Sequence, residues 1–210
     1  TLFPYTTLFR SMIGETKKGQ LEALGAFVNS AEVDELTSAL KEANFGVVAV
    51  EFPALAIARL VKNYATGLKP DAPYLVAYLG SDGPDLMIIK GGHLYFSYFN
   101  SWAGLQQELG GRKISTEDVK DFLTRNIKQV MNFYTSRWGQ PIQDVLLVDS
   151  PIAKDILEAI NKNFGGIATQ PFQVMKYGQL SPLWYGALGA VERGLIARSE
   201  DNSISLTADR

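Results

Sequence analysis

The fold of this chain is decided by one stretch, "YLVAYLGSDGPDLMIIKGGHLYFSYF", which runs from Tyr74 to Phe99. Three strand-like runs lie in it, at 74–79, 85–90 and 94–99, and the connections "GSDGP" and "GGH" separate them. Loops this short can join only antiparallel neighbours. The stretch therefore predicts a three-stranded antiparallel meander.

Downstream of the meander, the pattern alternates between helix and strand. "SWAGLQQELGGRK" is ambiguous and predicts a short helix with a loop, while the apolar stripe of Thr116–Trp138 predicts a long amphipathic helix. "DVLLVD" (Asp144–Asp149) is typical of a buried strand, and Ser150 with Pro151 is expected to open the next helix as N-cap and first residue. Beyond it, "IATQPFQVM" predicts an edge strand because it contains proline, and "PLWYGALGAVERGLIA" predicts a helix rich in small residues.

Upstream of the meander, the same alternation holds. The pattern predicts a strand over Leu21–Asn29 and a second strand over Val47–Phe52. Between them it predicts a helix with Ser30 as its N-cap and its end near Gly46. Pro53 opens an apolar helix, and the Pro- and Gly-rich "GLKPDAP" (Gly67–Pro73) is the best linker in the chain. A meander followed by helical crossovers predicts an α/β fold with a mixed sheet.

Composition excludes several classes of function. The chain of 210 residues has 46% hydrophobic residues, a net charge of −2 and no long apolar run, so we expect neither nucleic-acid binding nor direct membrane insertion. Without cysteine there is no disulfide or thiolate metal site. His93 is the only histidine, which rules out a multi-histidine metal site within this chain.

The first eleven residues, "TLFPYTTLFRS", differ from the rest. They resemble the translation of a widely used sequencing adapter, and they lack the basic start and long apolar run of a signal peptide. We expect 1–11 to be an artefactual leader that packs loosely. An in-frame adapter would also mean that the natural protein is longer at this end and that Met12 need not be its start.

Four of the stretches described above, with their neighbouring residues, resemble the PilM family of type IV pilus assembly proteins, within the actin-like ATPases. They are "FGVVAVEFPALAIARLV", "LGSDGPDLMIIKGGHLYFS", "VLLVDSPIAKDILEAI" and "PLWYGALGAVERGL…ISL", and the resemblance spans roughly Leu21 to Leu206. It implies an actin-like (ribonuclease H-like) fold, with the second lobe and the end of the first. The implied parts are 12–66 (end of the first lobe), 67–181 (second lobe), 182–198 (a closing helix returning to the first lobe) and 199–210 (tail).

In this family the second stretch is a phosphate loop, which here comprises Gly80, Ser81, Asp82 and Gly83. The sequence departs from the family at three places. Tyr78 replaces an aspartate that acts through metal or water, Pro84 replaces a hydroxyl donor, and Asp149 with Ser150 replaces a glycine pair near the base. The first phosphate loop would lie before Met12. The four residues are therefore a degenerate cofactor site, with no catalytic residue and no metal site. The resemblance allows ATP in the longer protein, and we expect none for this chain.

Each candidate site also has a simpler interpretation. "GSDGPD" can be an ordinary hairpin turn, His93 an exposed turn residue and Asp149 part of a helix cap. The aromatic run from Tyr95 to Phe99 can be core on one face and a partner surface on the other.

The resemblance implies a cytoplasmic scaffold of a type IV pilus or related secretion machine, without enzymatic turnover. Its partners would be the cytoplasmic tail of an inner-membrane assembly protein, which holds it at that membrane, and the assembly ATPase. One alternative is an active ATP-dependent enzyme of the actin-like and sugar kinase superfamily. Another is the related cytoplasmic domain of a type II secretion or cell-division protein, which would carry a membrane helix or amphipathic tail.

Overall fold

The computed structural model describes residues 6–15, 21–69, 71–148, 152–178 and 180–196. Its strands are β1 (Thr6–Glu15), β2 (Leu21–Asn29), β3 (Tyr74–Leu79), β4 (Pro84–Lys90), β5 (His93–Phe99), β6 (Asp144–Val148) and β7 (Ala168–Phe172). Its helices are α1 (Ser30–Glu42), α2 (Pro53–Tyr64), α3 (Trp102–Glu108), α4 (Thr116–Trp138), α5 (Ala153–Asn163) and α6 (Tyr185–Gly194), and a 3-10 turn over Pro182–Trp184 precedes α6.

The five-stranded sheet has the order β5-β4-β3-β6-β7. Strand β4 is antiparallel to β3 and to β5, whereas β6 is parallel to β3 and β7 is parallel to β6. The predicted meander is therefore confirmed, and the crossover helices α4 and α5 link it to the parallel part of the sheet.

One face of this sheet forms the main core with α3, α4 and α5. Long helix α4 has the predicted bounds because local signals fix both of its ends: Ser115 and Asp118 form a capping box, and Gly139 adopts the left-handed conformation at φ 70°. The residues of α4 that are buried in the described structure are Val119, Phe122, Leu123, Asn126, Ile127, Val130 and Tyr134. They pack with Leu75, Ala77, Leu86 and Ile88 of the sheet, so the prediction that this helix covers the meander is confirmed.

The opposite face of the sheet is equally buried, as the exposed fractions of Val76, Met87 and Leu146 (0, 0 and 1%) show. Helix α2 also contributes fully buried side chains, among them Ile57 and Leu60, which are both 0% exposed. Burial on both faces explains why the strands lack polar alternation.

Both edge strands differ from a regular ladder. Pro171 lies in β7, which pairs only with β6 in the described structure, so the edge-strand prediction is confirmed. Between β4 and β5, Ile88 pairs with Phe96 and Ile89 pairs with Leu94, which leaves Tyr95 of β5 as a bulge.

The described residues divide into two compact units, one formed by those within 1–56 and 186–210 and the other by those within Ile57–Tyr185. In the first unit β1 and β2 form a separate antiparallel pair. The strand predicted over Leu21–Asn29 is therefore confirmed. We expect residues 1–11 to be disordered or loosely packed, and the disordered alternative is wrong for Thr6–Ser11, whose backbone pairs with β2. This pairing lies outside the five-stranded sheet, and loose packing of the segment stays a prediction. Residues 1–5 lie outside the described residues, and the origin of the segment stays a prediction.

The ends of α1 differ by one or two residues from the predicted ones. Its N-cap is Asn29, whose side-chain oxygen accepts from the Ala31 amide at 3.1 Å, and Ser30 is the first helical residue. Its C-terminus is set by Asn44 at φ 63°, with the Phe45 amide donating to the Leu40 carbonyl at 2.9 Å. This is a Schellman arrangement with asparagine in the left-handed position, so Gly46 is not needed to end the helix.

One other prediction is wrong. Val47–Phe52 forms no strand, because no strand in the described structure pairs with it and Val48 is 65% exposed.

Helix α5 begins at Ala153 in the described structure, with Ile152 at the N-cap position. The predicted cap residues Ser150 and Pro151 lie outside the described part of the chain, so their role stays a prediction.

Within the first unit, α6 lies close to the start of α2. A Cβ atom built on Gly189 would be 2.3 Å from the Ala56 carbonyl oxygen, so a larger residue would collide with the α2 backbone. The predicted small-residue packing of this helix is thus present. The part boundaries at 66, 181 and 198 stay predictions.

Candidate functional site

The loop Gly80–Gly83 lies at the carboxyl end of β3. Because β6 runs parallel to β3, the carboxyl ends of both strands meet at the same edge of the sheet. Open α/β sheets bind their ligands at this edge. The structure therefore brings the four predicted residues together at the position where a ligand site belongs. Asp149 and Ser150, which follow β6, lie outside the described residues.

The loop closes on itself through short-range hydrogen bonds. The Gly80 amide donates to the Gly83 carbonyl at 3.1 Å, and the Ser81 hydroxyl donates to the Asp82 carboxylate at 3.3 Å. Ser81 and Asp82 are exposed, whereas Gly83 is buried. This is the geometry of a tight turn whose own groups satisfy part of its backbone.

The beginning of α3 occupies the neighbouring space. The Trp102 indole N–H donates to the Gly80 carbonyl at 3.0 Å, and the Trp102 amide donates to the Asp82 carbonyl at 2.9 Å. The Asn100 amide also donates to the Pro84 carbonyl at 3.1 Å. Helix α3 is thus tied to the loop at two points, and the segment before α3 is tied to the start of β4 at a third. Sequence reasoning missed this role of Trp102, because its two partners are 20 and 22 positions away and no local pattern marks them.

The two glycines of the loop face the chain's own atoms. A Cβ atom on Gly83 would lie 1.9 Å from the Asn100 carbonyl oxygen, and one on Gly80 would lie 2.9 Å from the Tyr78 ring. In a phosphate loop, glycine lets the backbone approach the ligand. Here glycine lets Tyr78 and the Asn100–Ser101 backbone approach instead.

Two carboxylates add negative charge at the loop. Asp82 is exposed, and Asp85 is 6% exposed and accepts a hydrogen bond from the Ser97 hydroxyl at 2.8 Å. Burial raises the pKa of Asp85 to about 6, although the Ser97 hydrogen bond opposes this shift. Burial also raises the pKa of Tyr78, as do the charges of Asp82 and Asp85.

A nucleotide phosphate, which the fold family implies, does not fit this loop. The amides of Ser81, Asp82 and Gly83 donate to no acceptor in the described part of the chain, so some donors of a cradle remain. However, the open side of each glycine is filled by protein atoms, Pro84 has no amide N–H, and the nearby side chains are carboxylates. The simpler interpretation of "GSDGPD" as a structural turn accounts for this geometry.

The other candidate residues lie elsewhere. His93 is exposed at the hairpin corner, as the simpler interpretation predicts. The bulge changes the faces of the aromatic run: Tyr95 contacts Tyr134 and Trp138, and Phe96 contacts Phe133, so both neighbours pack towards α4. In a strand without a bulge, successive side chains alternate, so Tyr95 and Phe96 would lie on opposite faces. Tyr98 and Phe99 remain 36% and 54% exposed.

A second concave region lies between α4 and α5. This cleft of about 390 Å³ is lined by charged side chains of both signs, namely Glu117, Lys120, Asp121, Asp155, Glu158 and Lys162. Lys120 already forms an ion pair with Glu117. No group of three potential metal ligands occurs within the described ranges, and no helix there has the length and apolar character needed to cross a bilayer.

Three solved protein chains resemble this chain in structure. A solved chain described as "PilM-PilN type IV pilus biogenesis complex" matches 94% of this chain and 69% of its own length, with a TM-score of 0.66 and 16% identity. A Bacteroides thetaiotaomicron protein "with actin-like ATPase fold and unknown function" matches 80% of this chain and 55% of its own, at a TM-score of 0.40 and 11% identity. The activator of 2-hydroxyisocaproyl-CoA dehydratase from Clostridium difficile, with bound ADPNP, matches 88% of this chain and 92% of its own length. The TM-score of this match is 0.39 and the sequence identity is 12%.

No family profile and no curated protein matches the sequence. Of the three solved chains, the first has a TM-score above 0.5, and at 16% identity it establishes a common fold. The meander, the long α4 helix and the parallel β6 strand are in the order that the sequence predicts. The chain therefore has a mixed α/β fold that it shares with the solved chain of the PilM-PilN complex.

Proposed function

We propose that this protein is a cytoplasmic scaffold of a type IV pilus or a related secretion machine, and that it works without nucleotide turnover. The observation that carries the proposal is the fold likeness to a chain of a PilM-PilN pilus biogenesis complex, which extends over 94% of this chain. A scaffold needs a stable fold with a partner surface, whereas catalysis would also need an intact cofactor site.

The closed loop at the carboxyl end of β3 supports the absence of turnover. Trp102 and Tyr78 fill the space next to Gly80, and Tyr78 occupies the position at which the resembled family has an aspartate. An enzyme of the actin-like superfamily would need both an approach for phosphate and a group that orients the metal or the water. The degenerate site Gly80–Gly83 is therefore assigned a structural role.

The proposed partner is the cytoplasmic tail of an inner-membrane assembly protein, with the assembly ATPase as a second contact. Binding to such a tail would hold the protein at the inner membrane through its partner. The gene downstream of this one would supply the peptide to test, if it encodes a short protein with a cytoplasmic tail and one membrane helix.

The test is fluorescence anisotropy with that tail as a labelled peptide and its scrambled version as the control. We expect saturable binding in the micromolar range to the natural order alone. Co-expression gives the second readout: the protein should enter the membrane fraction with the full-length partner and leave it when the tail is deleted. Equal binding of both peptides, or hydrolysis of Mg-ATP by the pure protein, would reject the proposal.

A further inference from the structure

Tyr78 is the residue that most clearly separates this loop from a phosphate site. It lies at the end of β3 with 7% of its surface exposed, and its ring covers Gly80. Its hydroxyl oxygen lies 3.4 Å from the carbonyl oxygen of Pro182, which is 104 positions further along the chain. One side chain therefore contacts both the loop and the turn that precedes α6.

The direction of this hydrogen bond follows from its partners. A carbonyl oxygen can only accept, so the phenol must be protonated to donate to Pro182. Burial and the charges of Asp82 and Asp85 raise the pKa of the phenol, which keeps the proton on Tyr78. The environment thus favours the donor form of this side chain.

The far side of the same turn is held by Tyr185, which is 1% exposed. The Val174 amide donates to the Tyr185 hydroxyl at 2.8 Å, and the Tyr185 ring makes an edge contact with Phe172 at 6.1 Å. Two buried tyrosines therefore hold the Pro182–Trp184 turn, one towards β3 and the other towards β7.

We propose that Tyr78 replaces the bound nucleotide as the group that fills the loop and joins it to the Pro182–Trp184 turn. In this arrangement a ring and a hydroxyl supply from within the chain the contacts that a ligand would otherwise make at the sheet edge. This role does not depend on the partner or on pilus assembly.

The experiment is hydrogen exchange with mass spectrometry on the whole chain and two variants. Tyr78→Phe keeps the ring and removes the hydroxyl, so amide exchange in the 182–186 segment, where Leu183 is the first residue with an amide hydrogen, should rise about two- to tenfold. Exchange of the 80–83 loop should stay as in the wild type. Tyr78→Ala also removes the ring, so both segments should exchange faster. Tyr98→Phe, on the exposed part of β5, is the matched control and should change neither.

Mg-ATP supplies the second arm of the experiment. Because Tyr78 occupies the loop, millimolar Mg-ATP should leave exchange of both segments in the wild type unchanged. Protection of 80–83 by Mg-ATP would overturn the proposal, as would unchanged exchange at 182–186 in the Tyr78→Phe chain. If Tyr78→Ala does not fold, the nearly isosteric Tyr78→Phe still decides the question.

Discussion

Arg193 and Glu51 form an ion pair in which almost no side-chain surface reaches solvent. The guanidinium donates to the carboxylate at 2.8 Å, and the two side chains are 5% and 6% exposed. The pair joins α6 to the segment that precedes α2, within one compact unit. A buried charge is tolerated only when its partner is present.

Arg193→Met should therefore strongly destabilise the fold. Loss of the guanidinium leaves the Glu51 carboxylate buried without this cation, and such losses cost about 3–5 kcal/mol. The measurement is guanidinium denaturation followed by circular dichroism. Arg125→Met, on the exposed side of α4, is the control and should shift stability by less than about 0.5 kcal/mol. Equal effects of the two variants would contradict the assigned role of the ion pair.

Asp85→Asn should stabilise the protein in a pH-dependent manner. The pKa of Asp85 is raised to about 6 in the folded chain, so protonation favours the fold. This stabilisation is complete below about pH 4 and is lost as the pH rises through 6. Asparagine stays neutral and can still accept from Ser97, so the variant should gain up to about 3 kcal/mol over the wild type at pH 8 and almost nothing at pH 4.

Urea unfolding at a series of pH values checks this result. The exposed Asp71 provides the control, since Asp71→Asn should give a difference from wild type that is small throughout. A stability difference for Asp85→Asn that does not grow between pH 4 and pH 8 would show that the carboxyl is not held in its neutral form by the fold.

Gly83→Ala should destabilise the protein by pushing the backbone before α3 away from the loop. The added methyl would lie 1.9 Å from the Asn100 carbonyl oxygen, and the atoms that must move belong to the backbone. Overpacking of this kind costs about 1–3 kcal/mol. Gly165→Ala is the matched control, because nothing lies within 4 Å of its added Cβ. Thermal unfolding compares the two, and similar melting temperatures would argue against close packing at Gly83.

Mg-ATP should bind this chain weakly or not at all, with no measurable hydrolysis. Relative to the resembled family, the loop lacks an aspartate at Tyr78 and a hydroxyl at Pro84. Each lost charge-assisted contact costs about 1.5–3 kcal/mol, or roughly 10- to 150-fold in affinity, so several losses move a micromolar site towards millimolar. Titration calorimetry is the measurement, and a micromolar dissociation constant would contradict the prediction.

Helices and strand pairs that are fixed locally could be predicted from the sequence. The α4 helix has the predicted bounds because its apolar period, its Ser115 cap and Gly139 all lie within or beside it. The meander was predictable because its turns are too short for any other pairing. Pro171 similarly identified the edge strand, since proline cannot donate to a ladder on both sides.

Choices between neighbouring residues of similar chemistry were not predictable. Asn29 and Ser30 are both good N-caps, and Asn44 and Gly46 can both end a helix, so the backbone path decided which of them was used. The run Val47–Phe52 has strand composition, but a strand forms only where a partner supplies hydrogen bonds.

The α/β class, the meander, the long helix and the unusual residues of the loop could all be inferred from the order of amino acids. What those loop residues do depends on the packed structure, because Tyr78 contacts Pro182 across 104 positions and Trp102 contacts Gly80 across 22. The bulge at Tyr95 was likewise set by the pairing of two strands. Local propensities act within a few residues, whereas contacts between distant segments depend on how the whole chain packs.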